Sequence, residues 1–247
     1  MRDYARETEK RVAFLKKALA DSGASGFVFG NSGGKDSALV GILCRKACEN
    51  TLGIIMPCSS ARNFGEDRED GLDVAAQYQI PTLEVDLTAV KQGLLEAVNP
   101  QQKVTDAAAA NIAPRLRMTT LYAVAQSRGC LVVGTGNRSE RYVGYFTKWG
   151  DGAFDVNPIA DLTVTEIYEF LRFLGAPQRI VTKAPSAGLF DGQTDETEMG
   201  ISYAALDQYI QTGEGPDDVK QRIRAMHEKS AHKRRPSLIY SDEEAKP

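Results

Sequence analysis

Apolar and polar positions along the first 135 residues repeat as short apolar runs followed by longer amphipathic stretches. Residues 26–30 (GFVFG) form an apolar run bounded by glycines, which is typical of a buried strand. Residues 4–20 place apolar side chains on one helical stripe. The same patterns predict further strands at 52–56, 82–86 and 130–135, and helices at 36–49, 65–78, 88–98 and around 104–128. This order predicts an α/β fold: a doubly wound parallel sheet with helices on both faces and ligands beyond the carboxyl ends of the strands.

Beyond residue 150 the strand pattern stops, and extra C-terminal helices are predicted near 163–174, 199–211 and 216–229. The segment 184–195 has no periodicity and contains proline and glycine. We predict a mobile lid there, with a static surface loop as the alternative. No linker divides the sequence, so we expect a single domain over residues 1–247 with a frayed tail at about 241–247.

Composition and charge narrow the class of protein. The chain is 42% hydrophobic and 26% charged, with a formal net charge of -3, which is ordinary for a globular protein and argues against overall disorder. A slightly negative chain has no general attraction for nucleic acid or anionic membranes, so such binding would need the local basic segment 227–235. The N-terminus lacks the unbroken apolar run of a signal peptide. We therefore expect a cytoplasmic protein with no nucleic-acid or membrane partner.

A glycine-rich turn between the first predicted strand and the next helix is the strongest local signal. Its adjacent glycines, Gly33 and Gly34, let the backbone approach a phosphate, and the helix that follows attracts anions at its N-terminus. The hydroxyl groups of Ser32 and Ser37 can donate to the same oxygens. The spacing fits neither GxxxxGK[ST] nor GxGxxG. The plain alternative is a structural turn capped by Asp36.

This turn resembles the SGGxDS loop of the ATP pyrophosphatase superfamily, which has a Rossmann-like, adenine nucleotide alpha hydrolase-like fold. The resemblance implies that ATP is cleaved between its α- and β-phosphates and that AMP is transferred to an oxygen of the substrate. Lys35 stands at the variable position of the motif. The ATP-binding residues that the resemblance implies in the loop are Gly30, Ser32, Gly33, Gly34, Lys35, Asp36 and Ser37.

Five later segments resemble the ammonia-dependent NAD synthetases and narrow the family. They are 111–118 (NIAPRLRM), 134–140 (GTGNRSE), 144–159 (GYFTKWGDGAFDVNPI), 183–189 (KAPSAGL) and 232–236 (HKRRP). Together with the glycine-rich turn, they extend the resemblance over about residues 10–236, in matching order. The resemblance implies ATP-dependent conversion of deamido-NAD to NAD.

The resemblance also implies roles for individual residues. Thr135 and Ser186 would contact ATP, and Asp36 and Glu140 would hold Mg²⁺. The implied deamido-NAD contacts are Arg115, Lys148, Asp155, His232 and Lys233. Each of these charged groups has a plain alternative as a solvated surface side chain.

Two positions depart from the family pattern. Val164 stands where many members carry a lysine that contacts ATP. Gly188 stands where many carry an aspartate in the mobile loop, whereas Ser186 keeps the hydroxyl of the usual threonine. A nucleotide contact from residue 164 is therefore expected to be missing or supplied elsewhere.

The implied chemistry is activation of a carboxylate by adenylation, because oxide is a poor leaving group and AMP a good one. The expected catalytic residues are Lys148 and Asp151. Asp151 would bind ammonium near the acyl carbon and take its proton. Ammonia would then attack the NAD-adenylate, releasing AMP.

The resemblance further implies a homodimer that uses free ammonia, and a separate glutaminase partner stays open. Two other functions remain as alternatives from the sequence. One is a different ATP pyrophosphatase-type enzyme, such as a tRNA thiolase or a sulfur transferase, although the basic surface and reactive cysteines of thiolation are not evident. The other is a non-catalytic adenine-nucleotide-binding module.

Overall fold

Four parallel strands form the centre of the molecule. The computed structural model describes residues 2–183 and 194–240. The strands are β1 (Phe27–Gly30), β2 (Thr51–Ile55), β3 (Thr82–Glu84) and β4 (Leu131–Val133), paired in the order β3-β2-β1-β4. Because β2 and β4 lie on opposite sides of β1, the connections that leave β1 and β4 diverge at the carboxyl ends of these two strands. This is the switch point at which such folds bind ligands.

Helices follow each strand and dominate the C-terminal part. The first seven are α1 (Tyr4–Ser22), α2 (Lys35–Ala47), α3 (Ala61–Phe64), α4 (Glu66–Gln77), α5 (Thr88–Val98), α6 (Asp106–Ala110) and α7 (Ile112–Arg128). The others are α8 (Arg138–Val143), α9 (Val164–Leu174), α10 (Gln178–Thr182), α11 (Asp195–Met199), α12 (Tyr203–Thr212), α13 (Asp217–Lys229) and α14 (Ala231–Arg234). The predicted strands and main helices are present, with bounds that shift by a few residues.

The sheet is covered on both faces, as the strand–helix order predicted. In β1, Phe27 and Phe29 point into one apolar cluster, which includes side chains from α2 and α9. Val28, between them in sequence, points into a second cluster, which includes α7. This alternation buries every residue of β1 except its terminal glycine. The doubly wound parallel sheet is therefore confirmed.

The prediction of one long helix around 104–128 is wrong in one respect, because this segment forms two helices. Helix α6 ends at Ala110, and α7 begins at Ile112. Pro114 lies in the first turn of α7, where its missing N–H costs nothing. Its ring would clash with the carbonyl group of Ala110 in a continuous helix, so the break falls between these residues.

A third apolar cluster joins α8, α12 and α13 outside the sheet. A buried polar network reinforces it: Ser139 on α8 donates to Asp207 on α12 at 2.5 Å. The backbone N–H and the hydroxyl of Thr165 on α9 donate to the same carboxylate at 2.8 and 2.7 Å. The network fixes α8 relative to α9 and α12, and α8 carries Glu140.

The basic segment 227–235 makes extensive contacts within the chain. His227 Nδ1 lies 2.8 Å from the carbonyl oxygen of Tyr142. Arg234 donates to the carbonyl groups of Tyr142 and His227 at 3.1 and 2.5 Å. These side chains therefore tie α13 and α14 to the end of α8. No helix among residues 2–183 and 194–240 is long and apolar enough to cross a bilayer.

Candidate active site

One cavity of about 640 Å³ opens at the carboxyl edge of the sheet. Its wall includes the turn after β1, the segment after β2 and the turn after β4. Of the sequence-predicted residues, it is lined by Gly30, Ser32, Gly34, Lys35, Asp36, Thr135, Glu140, Asp151 and Lys233. The ligand position expected from the fold and the predicted nucleotide loop therefore coincide.

The glycine-rich turn is held against α4. Gly33 has a φ of +68°, which favours glycine, and a Cβ placed there would lie 2.0 Å from the carbonyl oxygen of Asp67. Asn31 donates through Nδ2 to the carbonyl oxygen of Gly71 at 2.8 Å. The turn thus requires glycine at position 33 and takes its shape from two carbonyl groups of α4.

The N-terminus of α2 is open towards the cavity. Gly34 is its N-cap and supplies no side-chain hydrogen bond, so within the described chain the first N–H groups of α2 have no side-chain cap. The hydroxyl oxygens of Ser32 and Ser37 lie 3.1 Å apart beside these groups. Uncapped N–H groups, the helix dipole and two hydroxyl groups are the features that suit this part of the cavity to an anion.

Asp36 and Glu140 meet across the switch point. Asn137 donates through Nδ2 to Asp36 Oδ1 at 3.1 Å. The same residue caps α8 and donates its backbone N–H to Glu140 Oε2 at 3.3 Å. One carboxylate oxygen of each acid is thereby fixed, and Lys35 Nζ lies 2.7 Å from Asp36 Oδ2 and 3.8 Å from Glu140 Oε1.

Burial dominates the electrostatics of this acid pair. Burial, assisted by Asp36, raises the pKa of Glu140 well above its usual range, and Lys35 opposes the shift. Burial acts to lower the pKa of Lys35, but Asp36 and Glu140 outweigh it and raise that pKa. The ammonium group therefore stays charged and offsets part of the negative charge of the pair.

The donor set fits Mg²⁺ only together with a substrate. Asp36 and Glu140 offer hard carboxylate oxygens, which Mg²⁺ prefers. Among the described residues, no group of three or more acidic, histidine or cysteine side chains could hold a metal ion. Mg²⁺ is commonly bound by one or two carboxylates plus substrate phosphates, and the adjacent anion-binding turn could place phosphates there.

Asp151 lines the cavity and is exposed there. Its Oδ1 accepts the backbone N–H of Thr147 at 2.9 Å. Desolvation by the surrounding cavity wall raises its pKa, and the backbone hydrogen bonds, Lys233 and Arg117 only partly oppose this shift. A carboxylate with a raised pKa is a better proton acceptor near neutral pH. The geometry is therefore consistent with the predicted role of a general base.

Lys233 serves the loop that carries Asp151. Its Nζ donates to the carbonyl groups of Gly144 and Phe146 at 2.8 and 2.7 Å. Burial lowers its pKa. Lys233 thus reaches the cavity wall, where both of these hydrogen bonds go to backbone carbonyl groups.

Three predicted substrate residues form a separate cluster outside the cavity. Arg115 donates to the carbonyl oxygen of Lys148 at 3.3 Å, and Lys148 Nζ donates to the carbonyl oxygen of His232 at 3.0 Å. Asp155 is also outside: its carboxylate accepts the N–H of Val132 at 2.8 Å and the hydroxyl of Tyr122 at 3.1 Å. Their substrate roles stay predictions.

The remaining predicted residues lie on α9 and in the predicted lid. Val164 is buried in the third apolar cluster, where its backbone N–H donates to Ser139 Oγ at 3.1 Å. Its side chain is part of the core and does not line the cavity. Ser186, Gly188 and most of the lid, residues 184–193, lie outside the described residues, as does the tail 241–247.

The sequence analysis did not identify the charged residues that line the cavity in the segment after β2. Arg62 and Lys183 reach Asp67 at 3.2 and 2.7 Å, and Lys183 also reaches Asp70 at 2.6 Å. Arg117, half-buried on α7, donates to the carbonyl oxygen of Met56 at 3.0 Å. Since ligands bind beyond the ends of neighbouring strands, the polar residues after β2 carried a usable signal.

Gly33→Ala tests the phosphate turn. The added methyl group would meet the Asp67 carbonyl in a left-handed backbone, so the turn must shift. We expect affinity for a non-hydrolysable ATP analogue, measured by calorimetry, to fall by two orders of magnitude or more, roughly the scale of losing several phosphate hydrogen bonds.

Gly93→Ala is the matched control. A Cβ at Gly93, inside α5, meets nothing within 4 Å, and alanine favours the helix by about 1 kcal/mol. This variant should bind the analogue normally and unfold at the same or a higher temperature. Wild-type affinity in folded Gly33→Ala would show that the turn does not hold the phosphates.

Comparison with known proteins identifies the family. The family model described as NAD synthase matches residues 7–237. The chain is 47% identical to the NH(3)-dependent NAD(+) synthetase of Carboxydothermus hydrogenoformans, over 94% of this chain and 96% of that protein. It is 42% identical to the protein of the same name from Archaeoglobus fulgidus, over 94% and 95%.

Solved structures agree over the whole fold. NMN synthetase from Francisella tularensis superposes with a TM-score of 0.93 at 33% identity, covering 98% of this chain and all of that one. The NH3-dependent NAD synthetase from Campylobacter jejuni superposes with a TM-score of 0.82 at 27% identity, with the same coverage. With these matches spanning the nucleotide turn, the acid pair and the C-terminal helices, the chain belongs to the NAD synthase family of carbon–nitrogen ligases.

Proposed function

We propose that this protein amidates deamido-NAD with ammonia at the expense of ATP, releasing NAD, AMP and pyrophosphate. One observation carries the proposal: the uncapped start of α2 and the Asp36–Glu140 pair open into a single cavity. An anion site beside two hard carboxylates suits a triphosphate with its metal ion. The near-full-length relatives named NH(3)-dependent NAD(+) synthetase support the same reaction.

Adenylation requires that the leaving pyrophosphate be stabilised. The N–H groups at the start of α2 and the hydroxyl groups of Ser32 and Ser37 would bind the outer phosphates. Asp36 and Glu140 would hold Mg²⁺, which when bound supplies positive charge to the phosphate oxygens. The nicotinate carboxylate then attacks the α-phosphorus, the bond to the β-phosphate oxygen breaks, and NAD-adenylate forms.

Amidation requires a neutral nucleophile. We assign Asp151 as the residue that binds ammonium and accepts its proton, because it faces the cavity and desolvation by the cavity wall raises its pKa. Ammonia then attacks the acyl carbon and AMP leaves. Arg117 and Lys233 oppose the rise in the pKa of Asp151 without cancelling it.

A second copy of the chain would complete the substrate site. The cluster of Arg115, Lys148 and His232 lies outside the single-chain cavity. Helix α5, which packs along the helix that carries Arg115, has no buried residue and exposes Val90 and Leu94. We infer a homodimer that covers this side, with these residues contacting deamido-NAD held between subunits. The cytoplasmic location and free ammonia as the nitrogen source stay predictions, and a separate glutaminase partner stays open.

Nicotinic acid mononucleotide is a second candidate substrate. The NMN synthetase from Francisella tularensis superposes with a TM-score of 0.93, against 0.82 for the Campylobacter NAD synthetase. Both acids carry the same pyridine carboxylate, so the adenylation and amidation steps would be identical. The difference lies in whether an adenylyl group is bound by the protein.

A product assay separates these functions. With ATP, Mg²⁺ and ammonium, we expect deamido-NAD to yield NAD, AMP and pyrophosphate in equal amounts, and its kcat/KM to exceed that of nicotinic acid mononucleotide. A higher kcat/KM for nicotinic acid mononucleotide than for deamido-NAD would make the protein an NMN synthetase. ADP as product, or no turnover of either acid, would exclude the proposed chemistry. Asp36→Ala, as a control, should lose roughly two orders of magnitude or more in rate.

Asp151→Asn tests the assignment of the base. The variant should keep the first half-reaction, measured as ATP–pyrophosphate exchange dependent on deamido-NAD. Amide formation should fall by roughly two orders of magnitude, the usual contribution of a positioned general base. In wild type, amide formation should rise with pH through the pKa of Asp151, and this step should be lost in the variant.

The matched control is Asp218→Asn, which alters an exposed carboxylate on α13. Both half-reactions should stay close to wild type in that protein. If Asp151→Asn slows pyrophosphate exchange as much as amide formation, the residue acts on loop structure and is not the base.

A further inference from the structure

Lys35 occupies an unusual position for the variable residue of a phosphate turn. Its side chain is 6% exposed, and Nζ lies 2.7 Å from Asp36 Oδ2 and 3.8 Å from Glu140 Oε1. The ring of Tyr203 lies beneath the ammonium group at 5.6 Å. Although Lys35 adjoins the anion-binding turn, its charge therefore points at the two acids.

The contacts of the acids identify which oxygens remain for a cation. Asp36 Oδ1 accepts a hydrogen bond from the side chain of Asn137, and Glu140 Oε2 accepts one from the backbone N–H of Asn137. The remaining oxygens, Asp36 Oδ2 and Glu140 Oε1, are the two that approach Lys35. A metal ion held by this pair would use these same oxygens, so ion and ammonium compete for one place.

We propose that Lys35 is an internal counter-ion that holds the cation position in the nucleotide-free protein and gives it up when Mg²⁺ arrives with ATP. The inference rests on the proposed function, since it takes the acid pair as the magnesium site. It assigns Lys35 a positioning role that makes metal binding depend on nucleotide.

Charge balance explains the dependence. Removing a buried ammonium from its acidic partners is costly unless it gains another anion. Lys35 is the first residue of α2, directly after the turn that would bind phosphate, and its side chain has four rotatable carbons. Bound phosphates would supply that anion beside the turn, while they also supply oxygens to the metal. Free Mg²⁺ offers the ammonium no such exchange.

The test measures Mn²⁺ binding by electron paramagnetic resonance, with no turnover required. Without nucleotide, Lys35→Met should bind Mn²⁺ at least about tenfold more tightly than wild type, the scale expected for removing a competing charge a few ångströms away. In wild type, a non-hydrolysable ATP analogue should tighten Mn²⁺ binding by about tenfold or more, and Lys35→Met should lose most of that gain.

Two further proteins keep the result interpretable. The double variant Lys35→Met/Asp36→Asn should lose the extra Mn²⁺ affinity, which locates it at this pair. Lys35→Gln, which keeps a polar side chain without the charge, should reproduce the gain and serves if Lys35→Met does not fold. Both single variants should melt at lower temperature than wild type without metal and recover with Mn²⁺.

Equal Mn²⁺ affinity of wild type and the folded single variants without nucleotide would overturn the proposal. Persistence of the extra affinity in the double variant would also overturn it, because the ion would then bind elsewhere. These outcomes do not depend on catalysis. Wild type that fails to amidate either acid but shows the expected Mn²⁺ behaviour would remove the proposed function and leave the counter-ion role.

Discussion

The site depends on one residue, Asn137, that joins the ends of two neighbouring strands. Its side chain donates to Asp36 at the start of α2, and its backbone and side chain form both halves of the capping box with Glu140. The turns after β1 and β4 are thereby locked together at the switch point of the sheet. Because Asn137 is fully buried, water does not compete for these hydrogen bonds, and they fix the positions of the two acids relative to each other.

The surrounding helices support this junction from both sides. The Ser139–Asp207–Thr165 network fixes α8 against α9 and α12, so the helix that carries Glu140 cannot drift from the sheet. On the other side, Gly33 fits against a carbonyl group of α4. The phosphate turn and the acid pair are therefore held by separate packing units. Substrate binding can then rely on a largely formed site, which lowers the entropic cost of adenylation.

Local sequence signals predicted what is encoded locally. The strand–turn–helix around Gly33 and the acid at Asp36 are contiguous, so their spacing and position sufficed. Glu140 was assigned through family resemblance, and the structure brings it to Asp36. The break before α7 was not predicted although Pro114 stood in the sequence, because the helical pattern of 104–128 continues on both sides of it. In the folded chain, the clash of the proline ring decides against a continuous helix.

Features assembled from distant segments were not predictable from one sequence. Lys183 meets Asp67 and Asp70 across more than 100 residues, and no periodicity encodes such a contact. Asp155 shows what family resemblance leaves out: its two carboxylate oxygens already accept hydrogen bonds from β4 and Tyr122 within this chain, so a substrate contact would be added to these bonds or replace one of them. Resemblance transfers a residue's role without the hydrogen bonds that it makes before substrate binds.

The departure at Val164 acquires a physical reading from the position of Lys35. Val164 packs in the same apolar cluster as Tyr203, and the Lys35 ammonium lies over the Tyr203 ring. The positive charge beside Tyr203 is therefore supplied by Lys35 of the glycine-rich turn, and the first residue of α9 supplies none. A lysine at residue 164 would have to displace apolar packing and would bring a second positive charge near Lys35. Valine on α9 and lysine in the turn are thus mutually consistent choices, because each removes the conflict that the other would create.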